Sequence, residues 1–330
     1  MPTVGSRWVL RLDRQELLGQ RMMTVRPSPC RQPSQKTEAA IGSEVSGTSS
    51  AGRLGSPTRW RAEVLLVAGV SLGQSAVYAA VRLADMLTRA PLKDSTASLN
   101  NSQSTRAVFD LVYQLLGIGF TLVPVVLALY LMWLDGQGSV RERLGLGRGV
   151  GPDAGCGAGP DAGRGARGGG TASDGVLRDG ARRAAWGDAW RAVGLFVLIG
   201  AGTLVVYAAG RALGVTAQIS TNNLNAAWWT VPVLLLQAVK NGVLEEVLLL
   251  GFFWDRLEKL RWSPWAIIVG LAVFRGSYHL YQGLGPFVGN VLMGLIFGWL
   301  YMRRRRVMPF VGAHFLLDAV GFLVPGILSG

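Results

Sequence analysis

Long apolar runs alternate with polar segments along most of this chain. Seven of these runs come close to the roughly 20 apolar residues that an α-helix needs to cross the hydrocarbon core of a bilayer. They cover residues 64–86, 107–134, 192–210, 227–253, 263–282, 286–302 and 307–328. The pattern therefore predicts an all-α, multi-pass transmembrane helix bundle with about seven spans.

The polar segments divide the chain into four parts. Residues 1–58 are rich in Arg, Ser, Gly and Pro without helical or strand periodicity, which is typical of a disordered basic tail. Residues 59–135 then form a first transmembrane hairpin, and residues 136–186 a flexible Gly/Arg-rich cytoplasmic linker. The core of the protein is expected at residues 187–330.

Composition supports a membrane protein and argues against a nucleic-acid-binding one. Half of the 330 residues are hydrophobic and only 16% are charged, whereas soluble domains carry about 25% charged residues. The net charge of +13 comes mainly from arginines in the tail and the loops, as in membrane proteins with basic cytoplasmic flanks. We therefore expect membrane lipid, and no nucleic acid, as a partner.

The distribution of basic residues predicts an orientation. The arginine block at 303–306, the short loop at 256–261 and the linker at 136–186 are separated by even numbers of predicted spans, so they share one side. The positive-inside rule makes that side cytoplasmic, together with the N-terminus, in the cell (plasma) membrane. The loop at 82–106 fits this assignment poorly, since it carries four basic residues on the opposite side.

The predicted spans of the C-terminal half contain costly polar residues. The chain has two histidines, His279 and His314, and both lie in this half, as does the adjacent pair Glu245 and Glu246. A charged side chain at the bilayer centre costs at least about 2.5–3.5 kcal/mol, so such residues usually face the bundle interior and have a function.

Helical spacing brings further polar residues onto the same faces. His314 and Asp318 are four residues apart, and so are Arg275 and His279, so each pair lies on one face of its helix. Three different spans thus contribute polar positions that can form one intramembrane cluster.

The residue types in this cluster match the needs of amide hydrolysis. That reaction requires a base to activate water and donors or a metal to stabilise the oxyanion. A glutamate with two histidines is also an acceptable zinc ligand set. Because adjacent helical residues point about 100° apart, one of Glu245 and Glu246 is expected to act on water. The other pairs with a cation such as Arg275 or Lys240, or stays protonated.

Three motifs in this order, EEVLLLG, FRGSYH and HFLLD, resemble those of the CPBP family. These are the CAAX-processing and bacteriocin-processing intramembrane proteases, also called the ABI family, and they are related to the type II CAAX prenyl endopeptidases. The resemblance covers roughly residues 190–328 and implies a multi-pass metalloendopeptidase.

The resemblance also implies roles for individual residues. The first motif's glutamates fall on Glu245 and Glu246, the second motif's histidine on His279, and the third motif's residues on His314 and Asp318. The first glutamate and the first histidine would activate water, and the last two residues would stabilise the oxyanion or complete a metal site. If a divalent metal takes part, zinc is the candidate, with Glu245, His279 and His314 as its ligands.

Two departures from the family pattern affect the expected charge balance. Leu250 stands where the family has an arginine, and Phe274 lies five residues before His279 instead of four. We expect Arg275 to supply from the neighbouring helix the cation that Leu250 removes.

The leading hypothesis is therefore an intramembrane endopeptidase that cleaves a membrane-associated peptide or protein. The alternative is a non-catalytic family member, or a membrane transporter or scaffold that uses the buried Glu, His and Asp residues as an ion or proton relay. A relay would string these residues along a path, whereas a protease requires them around one water molecule.

Overall fold

A computed structural model describes residues 55–136, 138–146, 170–221, 223, 224 and 227–328, with the backbone alone at 170–181 and 325–328. Most of the predicted tail, and residues 147–169 of the predicted linker, lie outside these described residues. The described chain is predominantly helical, as the apolar pattern predicts. Its α-helices are α1 (Pro57–Gly69), α2 (Leu72–Arg89), α3 (Ala107–Leu134), α4 (Val140–Arg143), α5 (Gly170–Ala212), α6 (Thr230–Glu246), α7 (Trp254–Lys259), α8 (Pro264–Ser277), α9 (Leu284–Arg304) and α10 (Met308–Leu328).

Three of the described helices are long and apolar enough to cross a membrane: Ala107–Leu134, Arg182–Ala212 within α5, and Leu284–Arg304. Helices α1 and α2 make a fourth candidate if they form one span, with a bend of 49° between them. The first predicted run, 64–86, is therefore two helices and not one. A membrane-embedded helical protein is consistent with these lengths, while the figure of seven spans remains a prediction.

Serine and proline residues fix the starts of two helices. The Ser56 hydroxyl accepts a hydrogen bond from the Arg59 amide, and Pro57 occupies the first turn of α1. In the same way Ser263 caps α8, which begins with Pro264. Proline is favoured there because the first amides of a helix have no intrahelical acceptor.

The helices around the polar cluster approach closely at glycines. A Cβ on Gly242 of α6 would lie 3.0 Å from the Val311 carbonyl oxygen of α10. A Cβ on Gly294 of α9 would lie 2.8 Å from the Cα of Ala272 in α8. These two contacts bring α10 against α6 and α9 against α8, so the polar residues of α6, α8 and α10 meet.

Helix α6 continues without a break into a π-helical segment, Val247–Phe253, and then into α7. A π-helix has i→i+5 hydrogen bonds and occurs mostly as a short bulge at functional sites. Here it directly follows Glu246, and Leu248, Leu249 and Phe252 within it are buried in the main apolar core.

Two elements differ from the sequence prediction. Strands β1 (Thr96–Ser98) and β2 (Gln218–Ser220) pair in parallel, with Thr96 opposite Gln218, so the described fold is not entirely α. The two strands follow α2 and α5, and pairing satisfies the backbone groups of these extended loops.

The predicted linker at 136–186 is helical at both ends. Helix α4 has a capping box in which Ser139 and Glu142 satisfy each other's backbone amides, and α5 begins at Gly170. After α4, Gly145 adopts a φ of +69°, and a Cβ there would lie 2.2 Å from the Arg305 carbonyl oxygen. The chain is thus packed against the end of α9 where the composition predicts a flexible segment.

The sequence predicts a short basic loop at 256–261, but residues Trp254–Lys259 form α7, in which Arg256 is fully buried. Its guanidinium bonds Glu63 of α1 at 2.6 Å, Asp255 at 2.7 Å and Asp135 at the end of α3. Burial raises the pKa of Asp135, but a hydrogen bond from Lys259 and the charges of Arg256 and Lys259 outweigh it, so the pKa is lowered. The basic end of the bundle is therefore held together by buried ion pairs between α1, α3 and α7.

Candidate active site

The two adjacent glutamates at the end of α6 have different environments. The Glu245 side chain retains 10% of its exposure, whereas the Glu246 side chain has none. This difference follows from the roughly 100° between successive helical residues, and it makes Glu245 the less deeply buried of the two carboxylates.

Glu246 is bonded to side chains from two neighbouring helices, an arginine and a histidine. One of its oxygens, Oε1, lies 2.6 Å from Nη2 of Arg275 in α8 and 2.7 Å from Nδ1 of His314 in α10. The predicted pairing of Arg275 with Glu246 is thus present, and the guanidinium also lies 3.7 Å from Glu245 Oε2. Leu250 and Arg275 line the same small cavity of about 10 Å³, so Arg275 fills the neighbourhood of the missing motif arginine.

Glu245 is held by a residue that the sequence analysis did not single out. The buried Tyr278 donates its hydroxyl to Glu245 Oε2 at 2.6 Å. This leaves Oε1 as the carboxylate oxygen on which Glu245 can receive a proton. Tyr278 also lies four residues after Phe274, which is the spacing that the family has for its histidine, and that coincidence is the sequence signal that could have identified it.

His279 lies directly after the end of α8. The helix ends at Ser277, and His279 precedes a 3₁₀ turn at Leu280–Gln282. A straight helix would carry His279 towards the opposite side, and the end of α8 at Ser277 interrupts that course. The ring centroids of His279 and Tyr278 are 4.9 Å apart.

The ring nitrogens of His279 are buried and have no hydrogen-bond partner in the part of the chain that the structure describes. Glu246 Oε2 is in the same situation. Buried polar atoms without partners are rare because each costs about 1–3 kcal/mol. Their hydrogen-bonding capacity is therefore not used by the described side chains.

Asp318 is near His314, but the two do not form a hydrogen bond. Their closest atoms, His314 Nε2 and Asp318 Oδ1, are 3.9 Å apart. The carboxylate is held instead by Asn241 of α6, whose amide donates to Asp318 Oδ2 at 2.6 Å. Sequence reasoning missed Asn241, although it lies one turn before Glu245 on the same helix.

A metal ion can be accommodated by part of this cluster. One ligand atom each from Glu245, Glu246 and His314 lies within 4.8 Å of the others, and all three residues are buried. This set contains Glu246 where the sequence analysis expects His279. Two carboxylates and an imidazole suit a divalent cation in general and do not single out zinc.

The polar cluster lies within the region that resembles a known family. The family model "Type II CAAX prenyl endopeptidase Rce1-like" matches residues 227–320, a range that contains both glutamates, both histidines and Asp318. The match supports, for this region of the chain, the family resemblance that the three motifs indicate. No curated protein and no solved structure matched the chain.

Proposed function

We propose that this chain, whose residues 227–320 match the Rce1-like type II CAAX prenyl endopeptidase model, is an intramembrane endopeptidase. Its substrate is a membrane-bound or membrane-proximal peptide or protein. The observation that carries this proposal is the asymmetry of the glutamates: Glu245 retains 10% of its side-chain exposure and is positioned by Tyr278, while Glu246 is fully buried between Arg275 and His314.

In the proposed reaction Glu245 is the general base. It accepts a proton from water on Oε1 while the water oxygen attacks the carbonyl carbon of the peptide bond. The Tyr278 hydroxyl fixes the carboxylate through Oε2 during this step. Arg275, 3.7 Å away, is itself engaged with Glu246 and so keeps the local charge balanced.

The histidines serve the oxyanion and the leaving group. His314 is held through Nδ1 by Glu246, which leaves Nε2 to face a substrate, and His279 has two ring nitrogens without partners among the described residues. A donor from either ring stabilises the negative charge on the carbonyl oxygen. The proton taken by Glu245 then passes to the departing nitrogen as the C–N bond breaks, which gives a carboxylate and an amine. Asp318, fixed by Asn241, lies beside His314 and would help to orient its ring.

A divalent metal is the alternative source of this stabilisation. Glu245, Glu246 and His314 would hold it, and we propose His279 as a further ligand and zinc as the metal; the imidazoles would then act as ligands in place of oxyanion donors. When bound, it would polarise the substrate carbonyl and lower the pKa of water.

The compactness of the cluster favours a protease over a relay. Ligand atoms of Glu245, Glu246 and His314 gather within 4.8 Å, whereas a relay would spread its groups along the membrane normal. In the proposed arrangement the helical segments make seven spans in the plasma membrane, with the N-terminus in the cytoplasm.

Substitution of Glu245 tests the proposal. Glu245→Gln removes the base but retains the shape and the hydrogen bond from Tyr278, so cleavage should fall by about 10²–10⁴-fold with normal membrane insertion. The matched control is Glu142→Gln, because glutamine preserves the capping box of α4. The measurement is mass-spectrometric counting of new peptide termini in membranes that contain each variant, together with cleavage of a prenylated CAAX peptide. Equal numbers of new termini with wild type and Glu245→Gln would rule out the protease mechanism.

A further inference from the structure

A second cavity lies away from the glutamates, between α5, α9 and the start of α10. Its volume is about 260 Å³. Its walls are apolar and include Leu195 and Leu198 of α5, Leu300 of α9 and Phe310 of α10. None of these residues belongs to the candidate active site.

Three arginines line the same cavity. These are Arg191 of α5, Arg304 at the end of α9, and Arg306 just beyond it. Asp188 is bonded to two of them: its carboxylate lies 3.0 Å from Arg191 Nη1 and 3.0 Å from Arg306 Nε. Arg304 has no ion pair within the described residues and is exposed. Three positive charges against one negative charge leave the cavity suited to an anion.

The cavity lies between two candidate membrane spans. Two candidate spans, Arg182–Ala212 and Leu284–Arg304, meet there, with the arginines near their ends and the apolar walls extending inwards. The apolar walls also continue onto the outer face of α5, where Val197 and Leu198 are 60% and 59% exposed.

We propose that this cavity binds an anionic phospholipid from the cytoplasmic leaflet. The phosphate lies among Arg191, Arg304 and Arg306, and the acyl chains follow Leu198 along α5. Basic pockets between transmembrane helices on the cytoplasmic side are suited to such headgroups. A water-soluble anion would use the arginines but would gain nothing from apolar walls that open towards lipid.

The test measures lipid binding by native mass spectrometry of the purified full chain. Phosphatidylglycerol is titrated against phosphatidylcholine with the same acyl chains, and glycerophosphoglycerol serves as the headgroup without chains. Arg304→Gln removes one basic contact and should weaken phosphatidylglycerol binding about fivefold. The matched control is Arg303→Gln, the adjacent arginine, which stacks 4.0 Å over the Trp299 ring and does not line the cavity.

A cavity-filling variant tests the apolar part without changing the charge. Gly194 lines the cavity, and a Cβ there would have no heavy atom within 4 Å, so Gly194→Phe can fill the space without a clash at the backbone. It should abolish the preference for phosphatidylglycerol. Any of four results would overturn the proposal. Wild type could bind both lipids equally, or bind the free headgroup as tightly as the lipid. Arg303→Gln and Arg304→Gln could lose equal affinity for phosphatidylglycerol, or Gly194→Phe could retain the wild-type preference for it. The readout does not depend on proteolysis.

Discussion

Removal of Arg275 should destabilise the protein, because the buried carboxylate of Glu246 then loses its guanidinium partner. Arg275 is 1% exposed and Glu246 is 0% exposed, and their closest atoms are 2.6 Å apart. Arg275→Met retains much of the apolar volume beside Met293 and Phe297 but removes the charge. Breaking a buried ion pair from one side typically costs about 3–5 kcal/mol.

A second substitution separates charge from packing. The double variant Arg275→Met with Glu246→Gln also removes the carboxylate, whose remaining partner in the single variant is His314, so about 1–3 kcal/mol of the loss should return. A third variant, Leu250→Arg with Arg275→Leu, moves the cation to the family's position across the shared cavity. It should recover part of the same loss.

The assay is reversible unfolding in mixed detergent micelles, with the free energy of unfolding determined for each variant. Arg82→Met, at an exposed arginine of α2, is the control for loss of a positive charge and should stay within about 0.5 kcal/mol of wild type. A double variant as unstable as Arg275→Met would show that the ion pair is not what stabilises this part of the bundle.

Two further predictions concern packing and pH. Gly294→Ala should lower the stability by about 1–3 kcal/mol, because its Cβ would lie 2.8 Å from the Ala272 Cα. Gly289→Ala in the same helix should be tolerated, since the nearest atom to its Cβ would be a Val206 carbon at 3.7 Å. Equal thermal unfolding of both variants would contradict the close approach of α9 to α8. The pKa of Asp135 is lowered in the folded protein, so its contribution is complete at neutral pH and is lost as the pH falls below the usual range of an aspartate. Asp135→Asn should therefore be less stable than wild type at neutral pH and lose less stability on acidification, and parallel pH curves of thermal unfolding would refute this.

The Arg275–Glu246 ion pair could be predicted from the sequence because a buried charge needs a partner of opposite charge, and few are available. A glutamate inside an apolar run requires a cation, and the C-terminal half offers few within its spans. Arg275 was a candidate because its position four residues before His279 places both on one helical face. The identity of the water-activating glutamate could not be derived in the same way, since adjacent residues in a helix are equivalent until the neighbouring helices are placed.

Other contacts left no comparable signal. Tyr278 and Asn241 are neutral, so neither carries the desolvation penalty that makes a charged residue in an apolar run conspicuous. Arg256 was assigned to a solvated loop because basic residues commonly flank spans, and only the packing of α1 and α3 around it makes it a buried residue. Composition likewise predicts a flexible segment after Asp135, but it cannot register the capping box of α4.

The π-helical segment Val247–Phe253 makes the length of this helix as important as its composition. Deleting one residue from the segment would convert it towards an α-helical turn and rotate everything beyond it by about 100°. If the Glu246–Arg275 ion pair were retained after such a deletion, Arg256 would turn away from Glu63. If the Arg256–Glu63 ion pair were retained, Glu246 would turn away from Arg275. Insertions and deletions should therefore be far less tolerated here than substitutions, and a relative that lacks the extra residue would need a differently placed ionic anchor at its basic end.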